Sequence, residues 1–155
     1  MKNKRQNSRN NYEKFHNNLQ VNLEIRPSQI PSSGNGLFTG EPIYKGDFLG
    51  YYEAQWSFDK KTQSNYSFFV NNKIWLDVDL HDKPYSAMMN DAFRTDYHNN
   101  IEAIHLLTEK ERNIITKNNC ELYDSNKMVG IYAIDDINVG DELFFSYGDY
   151  YWKSW

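Results

Sequence analysis

From about residue 21 onward, apolar residues come in short bursts rich in Ile, Val, Leu, Phe and Tyr, each cut short by turn-forming residues. That texture predicts strands over 23–26, 36–39, 48–53, 67–70, 74–76, 128–133 and 142–146. The breaks are Pro31-Ser32-Ser33-Gly34-Asn35-Gly36, Lys45-Gly46-Asp47, Asn71-Asn72-Lys73 and Val139-Gly140-Asp141, all built from residues that favour turns. Helical signals are clear only over 108–117, where Thr108 is placed as N-cap and Glu111 completes a capping box. Residues 85–90 are apolar but too short to assign by period. Residues 1–20 are rich in Asn, Lys and Arg with little to bury, and read as a disordered basic tail with a short helix near 12–19. The expected organisation is therefore a tail followed by one mainly β domain over 21–155, with a helix-bearing insertion around 104–120.

The chain also repeats itself once. Gly36-Leu37-Phe38-x-x-Glu41-x-Ile43-x-x-Gly46-Asp47-x-Leu49 returns as Gly130-Ile131-Tyr132-x-x-Asp135-x-Ile137-x-x-Gly140-Asp141-x-Leu143. Each copy reads as strand, turn, buried Ile, Gly-Asp turn and strand. Two such units near opposite ends of a domain predict a β fold that closes by pairing its ends, whereas a solenoid needs at least three adjacent copies.

Composition narrows the chemistry. Hydrophobic residues make up 39% of the chain and aromatics 16%, so the twelve Tyr and nine Phe must fill much of the core or line a pocket with polar-tipped walls. A formal charge of −4 speaks against direct nucleic-acid readout and suits a basic peptide partner. Lys2, Lys4, Arg5 and Arg9 read as a solvated tail rather than a nucleic-acid arm. The single cysteine, Cys120, excludes an internal disulfide and a multi-cysteine zinc cluster, and the four histidines lack metal-site spacing, so no metal is expected. No apolar run approaches ~18 residues and no secretory leader is visible, which predicts an intracellular protein without a membrane span.

Four segments, in order, resemble the motifs of SET-domain protein lysine methyltransferases. Ser33-Gly34-Asn35-Gly36-Leu37-Phe38, continued by Lys45-Gly46-Asp47-Phe48-Leu49-Gly50-Tyr51-Tyr52, resembles the opening motif. Asn65-Tyr66-Ser67-Phe68-Phe69 with Trp75-Leu76-Asp77 resembles the central strand pair. Met89-Asn90-Asp91-Ala92 stands where the family carries Asn-His-Ser, and residues 130–136 with 140–152, including Phe144-Phe145-Ser146-Tyr147, resemble the closing motif. The resemblance covers about 23–152 and is closest to compact, stand-alone forms such as viral SET proteins. It implies a β-clip fold of short sheets with a few short helices.

The activity it implies is methyl transfer from S-adenosyl-L-methionine to the side-chain amine of lysine in a basic, histone tail-like peptide or protein. Lysine's pKa of about 10.4 leaves roughly one molecule in a thousand neutral near pH 7, so the amine must be desolvated before it can attack. Aromatic walls exclude water while their faces still attract cations. By resemblance, Tyr147 orients the amine and Tyr66 assists. Tyr52, Phe68 and Phe145 line the lysine channel, and a Phe at position 145 leaves room for di- or trimethylation. Cofactor and peptide would enter from opposite faces and meet through this channel.

Gly34, Asn35, Gly36 and Leu37 would approach the amino-acid end of the cofactor, joined by Asn90 and Asp91, with Tyr151 and Trp152 against the adenine. A dinucleotide or Walker loop would need a further Gly or Gly-Lys and a following helix, whereas a predicted strand and Pro42 follow Gly36.

Several departures matter. Asp91-Ala92 replaces His-Ser, although the family's histidine acts there largely through its backbone. Ala87 stands where the family often has arginine. An Asn-x pair should begin the next strand: Asn99-Asn100 has the better spacing from Asn90, with Asn119-Cys120 as the competitor, and Cys120 reads as an ordinary thiol rather than a nucleophile. Related enzymes follow the closing motif with a cysteine cluster; here residues 150–155 would close the site themselves or leave it open. Asp77, Asp79, Asp82, Asp91 and Asp96 would steer a basic peptide or form a solvated face. The alternative to an enzyme is a catalytically inactive SET-like protein-binding module. A nuclear or cytoplasmic location, in a host cell if the protein is viral, is expected, and a homodimer is left open.

Overall fold

The computed structural model describes residues 14–31, 33–57, 67–70, 74–78, 82–92, 106, 108–110, 118–125 and 128–147. Its strands are β1 (Lys14–His16), β2 (Leu23–Pro27), β3 (Asn35–Thr39), β4 (Phe48–Tyr51), β5 (Gln55–Ser57), β6 (Ser67–Val70), β7 (Ile74–Asp77), β8 (Asp82–Pro84), β9 (Cys120–Ser125) and β10 (Met128–Ala133). They form small sheets: β2–β3, β4–β10–β9 and β5–β7–β6 are antiparallel, and β1–β8 is parallel. The fold is mainly β, as the apolar bursts predict, and the short apolar run at 85–88 becomes a 3-10 turn over Tyr85–Met88.

The repeat explains how the sheets close. Ile43 and Ile137, equivalent positions of the two copies, bridge each other with paired hydrogen bonds, Ile43 N to Ile137 O at 2.9 Å and Ile137 N to Ile43 O at 2.7 Å. Each copy caps its own turn in the same way: Asp47 Oδ2 accepts from Tyr44 N at 2.9 Å, and Asp141 Oδ2 from Asn138 N at 3.0 Å. Gly46 and Gly140 share φ values of 92° and 89°. The copies thus meet about a local pseudo-twofold, with Leu37, Leu49, Ile131, Ile137 and Leu143 fully buried around it.

The closing segment differs from its expectation. Residues 142–146 form no ladder, because their hydrogen bonds go to several partners in turn. Leu143 N donates to Leu37 O, Phe144 O accepts from Asn119 N and Cys120 N, and Phe145 N donates to Asn90 O. Only isolated bridges, Phe38↔Glu142 and Asn90↔Phe144, mark its path.

A second difference concerns the insertion. β9 pairs with β10 from Cys120↔Ala133 to Met128↔Ser125, so Asn119-Cys120, not Asn99-Asn100, opens this strand pair. Cys120 and Leu122 point inward while Glu121 and Tyr123 face out, an alternation that a single insertion over 104–120 does not capture. Glu109 and Lys110 are helical and precede the hairpin; the rest of the expected 108–117 helix lies outside the described residues, as does Asn99-Asn100.

Residues 14–20 are part of the fold rather than of a tail, and 14–16 are strand where the sequence suggests a helix. Phe15 packs on the core, Leu19 is buried, Gln20 N donates to Leu49 O at 2.9 Å, and Asn18 Nδ2 donates to Tyr51 O at 2.8 Å. His16 fixes the end of β1: its Nδ1 lies 2.8 Å from Asp82 Oδ1 and its Nε2 2.8 Å from Glu53 Oε2. Both ring nitrogens must donate to satisfy two carboxylates, so the arrangement selects the imidazolium. The hydrogen bond to Glu53 first, then that to Asp82, raises the His16 pKa.

A raised folded pKa contributes stability that is complete below the unfolded value, about 6.5, and is lost as pH rises through the folded value. The wild-type melting temperature should therefore exceed that of His16→Gln most at about pH 5.5, the gap narrowing by about pH 8.5. A gap independent of pH would show that His16 is not held as the cation.

Candidate active site

Three aromatics from two distant parts of the chain meet at the core. Tyr52, just past β4, is buried, and its ring centroid lies 5.8 Å from that of Phe145, nearly edge-on at 63°. Phe145 is 1% exposed and lies 5.1 Å from the ring of Tyr147. Tyr147 is partly buried, and its Oη donates to Met89 O at 2.7 Å. With its proton committed to that carbonyl, the hydroxyl presents only lone pairs to anything beside it, so it is set as an acceptor.

Asn90 adjoins this hydroxyl. Its Nδ2 donates to Asn35 O at 2.9 Å and to Glu142 Oε1 at 3.3 Å. Its Oδ1 has only a 3.4 Å contact to Tyr147 Oη among the described residues, which leaves it able to accept from a cation. Asn90 thereby ties the Gly34–Gly36 loop to the closing segment. Gly34 has φ 65° and open space where a side chain would stand; its carbonyl accepts from Ser28 N at 2.8 Å, so the accessible backbone group there is its N–H. Gly36 is the opposite case: a Cβ there would run into the Glu142 carboxylate.

Glu142 is a buried acid behind this loop. Its Oε1 accepts from Ser28 Oγ at 2.7 Å and its Oε2 from Gln29 N at 2.9 Å. Burial pushes its pKa up, while the bonds from Ser28, Gln29 and Asn90 and the charge of Arg26 pull it back.

On the other side of Asn90, the buried Asp91 carboxylate accepts from Asn118 Nδ2 at 3.0 Å and from Tyr147 N at 3.0 Å. Asn118 Oδ1 in turn accepts from Ala92 N at 2.8 Å. The next residue, Asn119, brackets the closing segment, donating to Glu142 O at 2.9 Å and accepting from Phe144 N at 2.8 Å. Cys120 is buried, and burial alone pushes its thiol up to about 12, the behaviour of an inert core thiol and not of a nucleophile.

This convergence of an N-terminal glycine loop, a central Asn and a C-terminal Tyr is matched by one family model. The model described as SET domain aligns with residues 34–148, most of the chain and every residue of the cluster from Gly34 to Tyr147. The chain belongs to the SET domain family.

Solved SET-fold structures agree in architecture. The crystal structure of KRYPTONITE in complex with mCHH DNA, H3(1-15) peptide and SAH superposes with a TM-score of 0.56 at 16% identity, covering 84% of this chain and 24% of that one. ctPRC2 in an autoinhibited conformation bound to S-adenosylmethionine gives 0.53 at 23% identity, covering 83% of this chain and 15% of that one. The chain therefore spans a quarter or less of the length of these structures. No curated protein matches the chain.

Against the SET expectations, the structure brings Tyr147, Phe145, Tyr52, Asn90, Asn35 and the glycines together. Leu37 is different: it is wholly buried, its carbonyl held by Leu143 N, so it supports the loop from beneath. Asp91 is the main correction as a member of the acidic face: its carboxylate is buried and engaged with Asn118 and Tyr147, so a cofactor role at this position would fall to its backbone. Asp82 is paired with His16. Phe68 is placed by its backbone in β6, opposite Leu76. Tyr66, Tyr151, Trp152, Asp79 and Asp96 lie outside the described residues. Sequence reasoning missed Asn118, Ser28 and Glu142, of which only Glu142 lies inside a motif, and it named Asn119 only as the less favoured start of the next strand.

Among the described residues no cluster of His, Cys, Asp and Glu could hold a metal, and no helix is long and apolar enough to cross a membrane. An open groove of about 530 Å³ lined by Tyr123, Tyr132 and Ile134, among others, includes none of the site residues.

Proposed function

We propose that this SET domain transfers a methyl group from S-adenosylmethionine to the side-chain amine of lysine in a basic, histone tail-like protein substrate. The observation that carries this reading is Tyr147, whose hydroxyl is fixed as an acceptor by Met89 O, beside Asn90 and at the end of the Tyr52–Phe145–Tyr147 aromatic row. Two structural neighbours support it in kind: one was solved with an H3 peptide and SAH, another with S-adenosylmethionine.

The residues fit the cofactor chemically. Its amino-acid end carries an ammonium and a carboxylate, and the loop presents accessible backbone at Gly34 and an amide oxygen on Asn90 with spare acceptor capacity. S-adenosylmethionine, when bound, supplies a methyl group activated by a positively charged sulfonium. The protein's part is to strip water from the lysine amine, which favours the neutral nucleophile, and to orient it. Phe145 and Tyr52 provide the dry wall, and the lone pairs of Tyr147 Oη accept from the amine. Phe145 has no hydroxyl to hold a water, which leaves room for more than one methyl.

Calorimetric titration with S-adenosylmethionine and its demethylated product tests the reading. Saturable binding, weakened about tenfold by loss of the Asn90 amide in Asn90→Ala, is expected, since roughly 1.4 kcal/mol is one hydrogen bond to a charged group. No heat at millimolar cofactor, with or without a basic peptide, would favour a binding module without catalysis.

A further inference from the structure

We infer that Asp91 and Asn118 form a positioning latch for Tyr147; this rests on the proposed role of Tyr147. The latch consists of three hydrogen bonds in series. Ala92 N donates to Asn118 Oδ1 at 2.8 Å, Asn118 Nδ2 donates to Asp91 Oδ1 at 3.0 Å, and Tyr147 N donates to Asp91 Oδ2 at 3.0 Å. Asp91 is 2% exposed, so its carboxylate acts where water does not compete. The donors are a side-chain amide and a backbone amide, both polarised toward a charged acceptor, which makes these bonds the stronger charge-assisted kind.

The geometry assigns the latch a specific task. Tyr147 is otherwise positioned at its far end, where Oη meets Met89 O at 2.7 Å. Asp91 fixes its near end, the main-chain N–H, so the residue is held at both ends between positions 89 and 91. Asn118 orients the Asp91 carboxylate and is itself tied to Ala92 N, on the same short stretch as Met89 and Asn90. Asp91 therefore acts through Tyr147 and does not touch the reacting atoms. A buried carboxylate at 91 needs donor partners, and Asn118 supplies one.

The chemistry predicts a reciprocal rescue. In Asp91→Asn, the new side chain has one acceptor and one NH2, and the NH2 faces the Asn118 NH2, so one bond is lost whichever way either amide flips. In Asn118→Asp, two carboxylates face each other. The double variant Asp91→Asn/Asn118→Asp has the same composition and net charge as the wild type, and all three bonds re-form. Tyr147 N donates to the new amide oxygen at position 91, the NH2 of that amide donates to the new carboxylate at position 118, and Ala92 N donates to the second oxygen of that carboxylate.

Two readouts on the full chain test this. In isotope-labelled wild type, the Tyr147 amide should exchange slowly and show a scalar coupling across the hydrogen bond to the Asp91 carboxylate carbon. Each single variant should speed that exchange and lower kcat on a basic peptide about tenfold, with the S-adenosylmethionine Kd changed less than about twofold. The double variant should recover both. Absence of the wild-type coupling, or a double variant no better than the singles, overturns the latch. A single variant that weakens cofactor binding without altering Tyr147 exchange overturns it as well, by placing Asp91 in the cofactor site. If the wild type transfers no methyl to any basic peptide, the enzymatic reading fails, while the coupling and exchange still decide the latch.

Discussion

Tyr147→Phe is expected to lower methyl transfer by at least about a hundredfold while leaving cofactor affinity nearly unchanged. Removing one oriented hydrogen-bonding group from a dry site costs roughly 2.7–4 kcal/mol of transition-state stabilisation, or a factor of about 10² to 10³. The effect should fall on kcat because, in the proposed reaction, the hydroxyl would act on the amine as it is aligned, not on the cofactor's amino-acid end, which Asn90 and the Gly34 loop would hold. The same change removes the donor to Met89 O, a bond of 2.7 Å between partly buried groups, so some stability is lost too. That loss should be about 1–2 kcal/mol, well short of unfolding a domain of this size. The ring contact with Phe145 is retained, which keeps the aromatic row in place. Single-turnover assays and thermal melts on the same preparation separate the two effects. Turnover within a few-fold of wild type would remove Tyr147 from the catalytic role.

What was legible in the sequence was whatever repeats or alternates. The two Gly-Asp units announced themselves by spacing, and their pairing through Ile43 and Ile137 gives the backbone of two buried positions the partner each needs. The closing motif brought Phe145 and Tyr147 into view, and the structure sets them against Tyr52. What was not legible was polar and long-range. Asp91 meets Asn118 and Tyr147 across 27 and 56 residues, and a hydrogen bond leaves no period in the chain. β9 was hidden for a related reason: Cys120-Glu121-Leu122-Tyr123 does alternate, but it is short and follows a helical capping signal that claimed the region. In the N-terminal stretch, Phe15 and Leu19 were too few among Asn and Lys to signal burial, and the salt bridges of His16 come from Glu53 and Asp82, far along the chain.

These buried polar links share one consequence. The site is not assembled by one rigid sheet but by separate segments, 28–36, 89–92, 118–120 and 142–147, joined through side chains. Glu142 joins the first to the last through Ser28 and Gln29, and reaches the second through Asn90. Asn119 joins the third to the last. Such networks are rigid when every member is satisfied and costly when one is not. A small change at the junction should therefore propagate to the cofactor loop.

Gly36→Ala is the sharpest form of that expectation. The added methyl would occupy the place of the Glu142 carboxylate, whose oxygen and carbon are the nearest atoms to it. Glu142 is 1% exposed and hydrogen-bonded by Ser28, Gln29 and Asn90, so it cannot swing into water without breaking all three contacts. Overpacking costs roughly 1–3 kcal/mol, and stranding buried donors adds about 1–3 kcal/mol more. A melting temperature lower by about 5–15 °C is expected, since 1 kcal/mol shifts a domain of this size by roughly 2–4 °C. Cofactor affinity should fall at least about tenfold, because Asn90 loses one of the two acceptors that hold its amide. A second background isolates the cause. In Glu142→Ala, the carboxylate is gone and the methyl has room, so adding Gly36→Ala should cost little beyond the loss already incurred. Losses that simply add in the double variant would mean that Gly36 is required for some reason other than its approach to Glu142.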